Sequence, residues 1–166
     1  GWSLAVPTWS LADEYEAGDP RKYVTLYDAE EELTDYNRAF MNTGYFNRKY
    51  MARADYQGSG GDPSHNFPRN FMDIRYADVL LMAAEVWLAD NPGKAAGYLS
   101  QVRTRSLGAA AAKTTITLDD IYHERRVEFG GEGLRKWDLL RRGLDYAGSK
   151  VNARSEERRV GKECSL

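Results

Sequence analysis

The densest chemistry in the chain is the run His123-Glu124-Arg125-Arg126-Val127-Glu128. A histidine beside carboxylates can pass protons, and an arginine can steady a developing anion, so the run has the makings of an acid–base site. The spacing favours another use. Arg125 and Glu128 stand three residues apart, where helical neighbours pair, and Arg125 falls within the apolar stripe Leu118, Ile121 and Phe129. A lone charge in such a stripe is very costly, so Arg125 must be partnered. The expectation is that these charges, paired as Arg125 with Glu128, pin a helix against its neighbours. No residue is assigned a catalytic role.

His65 is the other histidine, far away in sequence. A zinc site or a catalytic triad needs further ligands or a nucleophile at matching spacing, and none is visible. Gly58-Ser59-Gly60-Gly61 and Gly130-Gly131-Glu132-Gly133 lack the Lys-Ser/Thr of a phosphate loop and the strand-to-helix setting of a dinucleotide site. Asp55 to Asn66 has scattered oxygen ligands but not the glutamate that closes a calcium loop. Neither metal nor cofactor is expected. Aromatic rings offer a different chemistry. Sugars present flat C–H faces that stack on such rings while their hydroxyls bond polar side chains. Trp2, Trp9, Tyr45 and Tyr56 are the ligand-contact candidates, and Trp87 and Trp137, in apolar helical stripes, are expected to be core.

The elements that must position these residues differ between the two halves. Residues 1–73 are aromatic-rich and irregular. Thr8 can cap a short helix bearing Leu11, Ala12 and Tyr15, ended by Gly18; Asp19-Pro20-Arg21 makes a turn or a first helical turn. Tyr23 to Tyr27 and Tyr45 to Met51 have the β-branched and aromatic content of short strands. Gly58 to Pro63 is a loop by composition. Residues 74–153 are helical. Ile74 to Asp90 leaves only a narrow polar stripe, Arg75, Asp78 and Glu85, which predicts a mostly buried helix. Asn91-Pro92-Gly93 gives a stop and restart, so two helices form an antiparallel hairpin, the second ending at Gly108. A third helix starts at Thr117, with Asp119 and Asp120 in its first turn. A fourth follows the glycine run, with Trp137, Leu140 and Leu144 aligned.

The bulk properties set outer limits. A net charge of −2 gives no basis for binding nucleic acid. No apolar run approaches the roughly 18 residues of a membrane span. The chain opens on Gly1 rather than Met, which leads to the expectation of a longer parent protein. Arg154 to Cys164 translate one frame of a widely used sequencing adapter, so residues 154–166 are expected to be a non-native tail. The single cysteine, Cys164, lies within it, leaving no disulfide or thiol chemistry in the remainder.

Several long motifs, in order, resemble the SusD/RagB family. They are Ile74-Arg75-Tyr76-Ala77-Asp78-Val79-Leu80-Leu81-Met82-Ala83-Ala84-Glu85, then Ile121 to Phe129, then Gly131-Glu132-Gly133-Leu134-Arg135 with Trp137-Asp138-Leu139-Leu140-Arg141. Pro7-Thr8, Asp19-Pro20-Arg21 and Tyr50 support the same order. Arg75, Asp78, Glu85, His123, Glu124, Arg125, Arg126, Glu128, Trp137 and Asp138 form the signature carried by this resemblance. It implies a mainly α fold of tetratricopeptide-like αα-hairpins, with an irregular ligand-side segment containing short strands. It further implies a surface lipoprotein of the outer membrane, held by a lipidated N-terminal cysteine outside this sequence. Such a protein captures oligosaccharides, without catalysis, for a SusC-like TonB-dependent transporter. The alternatives are a glycoside hydrolase, which needs two carboxylates at a set separation, and a helical-repeat scaffold that binds peptides.

Overall fold

The computed structural model describes residues 6–38, 42–51 and 72–163, with side chains through residue 153. Trp2, Tyr56, His65 and the loop from Gly58 to Pro63 lie outside the described residues. The first part holds three short helices, α1 (Trp9–Ala12), α2 (Pro20–Thr25) and α3 (Ala29–Glu32). Strand β1 (Leu26–Asp28) pairs antiparallel with β2 (Tyr45–Asn47), setting Tyr27 opposite Phe46. The second part is α4 (Tyr76–Trp87), α5 (Pro92–Leu107), α6 (Leu118–Glu128), α7 (Arg135–Arg141) and α8 (Leu144–Glu163). The architecture is mainly α, with α4 and α5 forming the expected hairpin.

Most helix starts follow from their capping chemistry. The Thr8 hydroxyl accepts from the Leu11 amide, and the Asn91 side chain accepts from the Lys94 amide. Thr117 and Asp120 complete a reciprocal capping box. Burial of Asp120 is outweighed by Lys113 and Thr117, which hold its carboxyl down at about 2. Asp19 caps α2, and Pro20 occupies its first turn. That start overrides the strand expected from Tyr23. Its first three residues, Tyr23 to Thr25, complete the helix, and extended backbone begins at Leu26. The helix expected to run from Thr8 toward Gly18 ends early, at Ala12.

Two apolar clusters meet at α6. Leu80, Leu81 and Ala84 of α4 pack with Leu99 and Val102 of α5 and with Ile121 and Phe129. Ala12, Tyr15 and Leu26 from the irregular part pack on Val127. Complete burial of Leu81, Leu99 or Ile121 contributes roughly 1.5–3 kcal/mol each. Because Ile121 and Val127 sit on one helix, α6 joins the two clusters.

Three expectations are corrected. Helix α4 is buried on one side only: Tyr76 and Val86 are exposed, as are Val79 and Met82. Its polar stripe turns inward instead, because Arg75, Asp78 and Glu85 all find partners on or beside α6 and α7. Trp87 lies at the surface with Lys94 over its ring, and Trp137 is 61% exposed. The reason for Trp137 is geometric. Helix α7 buries its neighbours Asp138 and Leu139, which turns the indole outward. The fourth helix also divides: Gly143, at φ +99°, ends the turn after α7, and Leu144 starts α8.

Candidate functional site

The charged residues of α6 are the most densely partnered in the described structure. Glu124 is fully buried and accepts from Arg21 at 2.5 Å and Arg103 at 2.9 Å. Glu128 is shared by Arg21, Arg75 and Arg105, at 3.2, 3.0 and 2.8 Å. Burial pushes its carboxyl upward, yet those arginines win and hold it below the usual range. Arg125 does not pair with Glu128. It reaches across to Asp78 on α4 at 2.5 Å and to Asp138 on α7 at 2.8 Å. Helical spacing suggested the local partner, but the buried guanidinium points away from its own helix, toward carboxylates fixed on two others. Glu85 accepts from Arg141 at 2.8 Å and from the Tyr122 hydroxyl at 3.2 Å.

His123 and Arg126 turn toward the irregular part. The His123 ring lies 2.8 Å from Glu14 and 3.4 Å from Glu16, while Arg126 pairs with Glu14 and donates to Ser10. The Glu14 hydrogen bond raises the imidazole above its ordinary value, overcoming the opposing effect of burial; the charges of Glu14, Glu124 and Glu16 add to it. Arg103, which also binds Glu16 and Glu124, faces the same cluster. A raised folded-state value means that this contribution to stability is complete below the unfolded histidine value of about 6.5 and disappears as pH rises through the folded value. The urea midpoint should therefore fall across that window. His123→Gln should flatten the fall; an unchanged profile in that variant would assign the pH dependence elsewhere.

The glycine run is a close-approach point. A Cβ on Gly130 would stand 2.9 Å from the Tyr15 hydroxyl. Gly131, at φ +80°, would place one 2.5 Å from the Asn47 amide nitrogen, which donates to the Gly131 carbonyl at 3.0 Å. β2 and the segment after α1 press on the end of α6 here.

Of the ligand-contact candidates that are described, Trp9 and Tyr45 share one hydrogen-bonded unit. The Trp9 indole donates to the Thr43 carbonyl at 2.9 Å. The Thr43 hydroxyl donates to the Pro7 carbonyl at 2.6 Å and accepts from the Tyr45 amide at 3.3 Å. Both rings are half-buried, and Tyr45 also packs on the cluster around Val127. A second aromatic group escaped the sequence reading. The Arg48 guanidinium lies 4.1 Å from the Tyr23 ring centre and 4.9 Å from that of Tyr27, and Tyr23 is 66% exposed. Its sequence signal, the β-branched and aromatic content of Tyr23 to Tyr27, reads as a strand instead. Among the described residues, no group of three or more His, Cys, Asp or Glu is placed to hold a metal. No described helix is long and apolar enough to cross a membrane.

Residues 8–160 match the family model described as the SusD family. SusD-like protein P25 of Formosa agariphila is 34% identical, with 87% of this chain and 27% of the relative covered. A SusD-like protein of Bacteroides ovatus is 30% identical, with 84% of this chain and 27% of the relative covered. The chain therefore spans about a third or less of the length of these curated relatives; for SusD-like protein P2 of Formosa agariphila, 24% identical, the share is 32%. A solved structure titled laminarin binding SusD-like protein superimposes with a TM-score of 0.79 at 34% identity, covering 93% of this chain and 33% of its own. With the family model matched over nearly the whole sequence, and the helices in place around α6, the chain belongs to the SusD family.

Proposed function

We propose that this chain is part of a non-catalytic, glycan-binding protein of the cell surface that delivers oligosaccharides to a TonB-dependent outer-membrane transporter. The observation that carries the reading is its likeness, at 34% identity, to a laminarin-binding SusD-like protein. The occupation of the α6 charges supports it: Glu124 and Glu128 are each held by arginines, as an interlocking structural set would have them. In this reading the parent protein is a lipoprotein anchored in the outer membrane. Residues 1–73 form its ligand side, 74–153 belong to a tetratricopeptide-like superhelix, and 154–166 are a non-native tail. Trp9 and Tyr45 are the contacts offered to sugar, with Trp2 and Tyr56 as further candidates.

Titration with laminarin oligosaccharides tests the central step. Binding is expected without cleavage, and Trp9→Ala should weaken it by about tenfold, since stacking on an aromatic face is worth roughly 1 kcal/mol or more. Appearance of shorter products from a pure sample would overturn the reading in favour of a hydrolase. Copurification of the parent protein with the transporter tests delivery.

A further inference from the structure

A cavity of about 160 Å³ lies between the end of α6, the start of α7 and the segment before α1. Pro7, Ser10, Arg126, Gly131, Arg135 and Lys150 are on its wall. Its charges are unbalanced in a particular way. Arg125 is neutralised by Asp78 and Asp138, and Arg126 by Glu14. The Asp138 carboxylate is in turn taken up by Arg125 and Arg141. Arg135 and Lys150 remain. Among the described residues neither has a carboxylate partner, although Lys150 lies 5.4 Å from the Tyr146 ring centre.

The contrast with the other inward-facing arginines is sharp. Arg21, Arg75, Arg103 and Arg125 are all held above the ordinary arginine range, burial being outweighed in each by carboxylates. Arg135 moves the other way: burial lowers it, the Arg126 charge lowers it further, and the opposing pull of Tyr146, Glu14 and Asp138, none of them its ion-pair partner, does not make up the difference. A half-buried guanidinium facing like charge is a poor device for stability, but it suits an incoming anion, because a planar fork can grip two oxygens at once. The cavity also adjoins the residues on both sides of Trp9, since Thr8 and Ser10 are among its lining.

We propose that this cavity is a subsite for the carboxylate or sulfate group of an acidic sugar, with Arg135 as the gripping residue and Lys150 as the second cation. The proposal rests on the glycan-binding reading above and adds a charged substituent to the ligand. The group is taken up as an intact anion, and no bond is made or broken.

Calorimetric titration of the whole chain at constant ionic strength tests it, with glucuronate, glucose 6-sulfate, glucose and neutral laminarin oligosaccharides as probes. Glucuronate or glucose 6-sulfate should bind where glucose does not, and comparing the two shows which anion fits. Arg135→Gln should weaken that binding at least about tenfold, as expected for losing a charge-assisted contact. It should leave laminarin binding unchanged. In anion-free buffer its urea midpoint should equal or exceed the parent's, whereas an arginine with a structural role would lower it. Lys150→Gln, on a different helix, should weaken the anion severalfold and serves if Arg135→Gln does not fold. Laminarin binding with no preference for either acidic sugar would overturn the subsite and spare the glycan reading. Acidic-sugar binding that survives both substitutions would also overturn it. Acidic-sugar binding lost on substitution, in a chain that ignores laminarin, would keep the subsite and narrow the glycan reading to charged ligands.

Discussion

Replacing Glu124 with glutamine is expected to remove about 3–5 kcal/mol of folding stability, the range for breaking a buried ion pair on one side. The carboxylate is fully buried and holds Arg21 and Arg103. Glutamine keeps the shape but takes away the charge, and half of its polar end becomes a donor facing two guanidinium groups that can only donate. Arg21 retains Asp19 and Glu128, and Arg103 retains Glu16, so neither is wholly stranded. The loss nonetheless falls in the interior, where water cannot make it good. Urea denaturation at neutral pH measures it. Glu30→Gln is the control, because Glu30 and its partner Arg38 are both about half exposed and such pairs contribute only about 0–1 kcal/mol. A loss below about 1 kcal/mol for Glu124→Gln would mean that solvent reaches the pair and that α6 is not an interior strut.

Arg125→Met should be the next most damaging change, at about 3 kcal/mol, since it strips Asp78 of its cation and leaves Asp138 only the longer contact to Arg141. Arg125→Lys should recover less than half of that, because a single ammonium cannot reproduce a fork that donates through Nε to one carboxylate and through Nη1 to another. The informative variant is the triple one, Asp78→Asn, Arg125→Met and Asp138→Asn. Removing all three charges together removes the penalty of an uncompensated ion, so its cost should fall well short of the sum of the single changes. Simple additivity across the three would show that the residues act separately rather than as one bridge.

Local chemistry made much of this molecule legible. Thr8, Asn91 and Thr117 announce helix starts by residue type, and each hydroxyl or amide is found on the expected backbone N–H. What periodicity could not supply was the third dimension of the charges. Arg125 and Glu128 have the spacing of a local pair, yet each is claimed by residues dozens of positions away, as with Asp78 for one and Arg21 for the other. Nothing in a helical wheel separates that outcome from the local one. The same blindness hid the orientation of α4. A narrow polar stripe among apolar residues looks like the solvent face, but the stripe is the side claimed by α6 and α7, and the apolar residues Tyr76 and Val86 face outward. Trp137 was misplaced for a related reason: an aromatic in a repeating pattern signals packing only if some element lies opposite it. Trp9 and Tyr45, proposed as sugar contacts, do share one hydrogen-bonded unit around Thr43. The Tyr23–Arg48–Tyr27 stack depends on a helix-to-strand change at Leu26 that composition did not mark.

The bridges that tie α4 to α6 and α7 also act as a vernier. Leucine and alanine surfaces tolerate sliding, because one greasy ridge fits a neighbouring groove almost as well as the next. If α4 slipped by one turn, about 5.4 Å along its axis, Leu80, Leu81 and Ala84 would still find apolar neighbours. Asp78 would leave Arg125, Arg75 would leave Glu128, and Glu85 would leave Arg141 in the same movement. Misalignment is thereby penalised at three points at once, and the helices are keyed to a single notch.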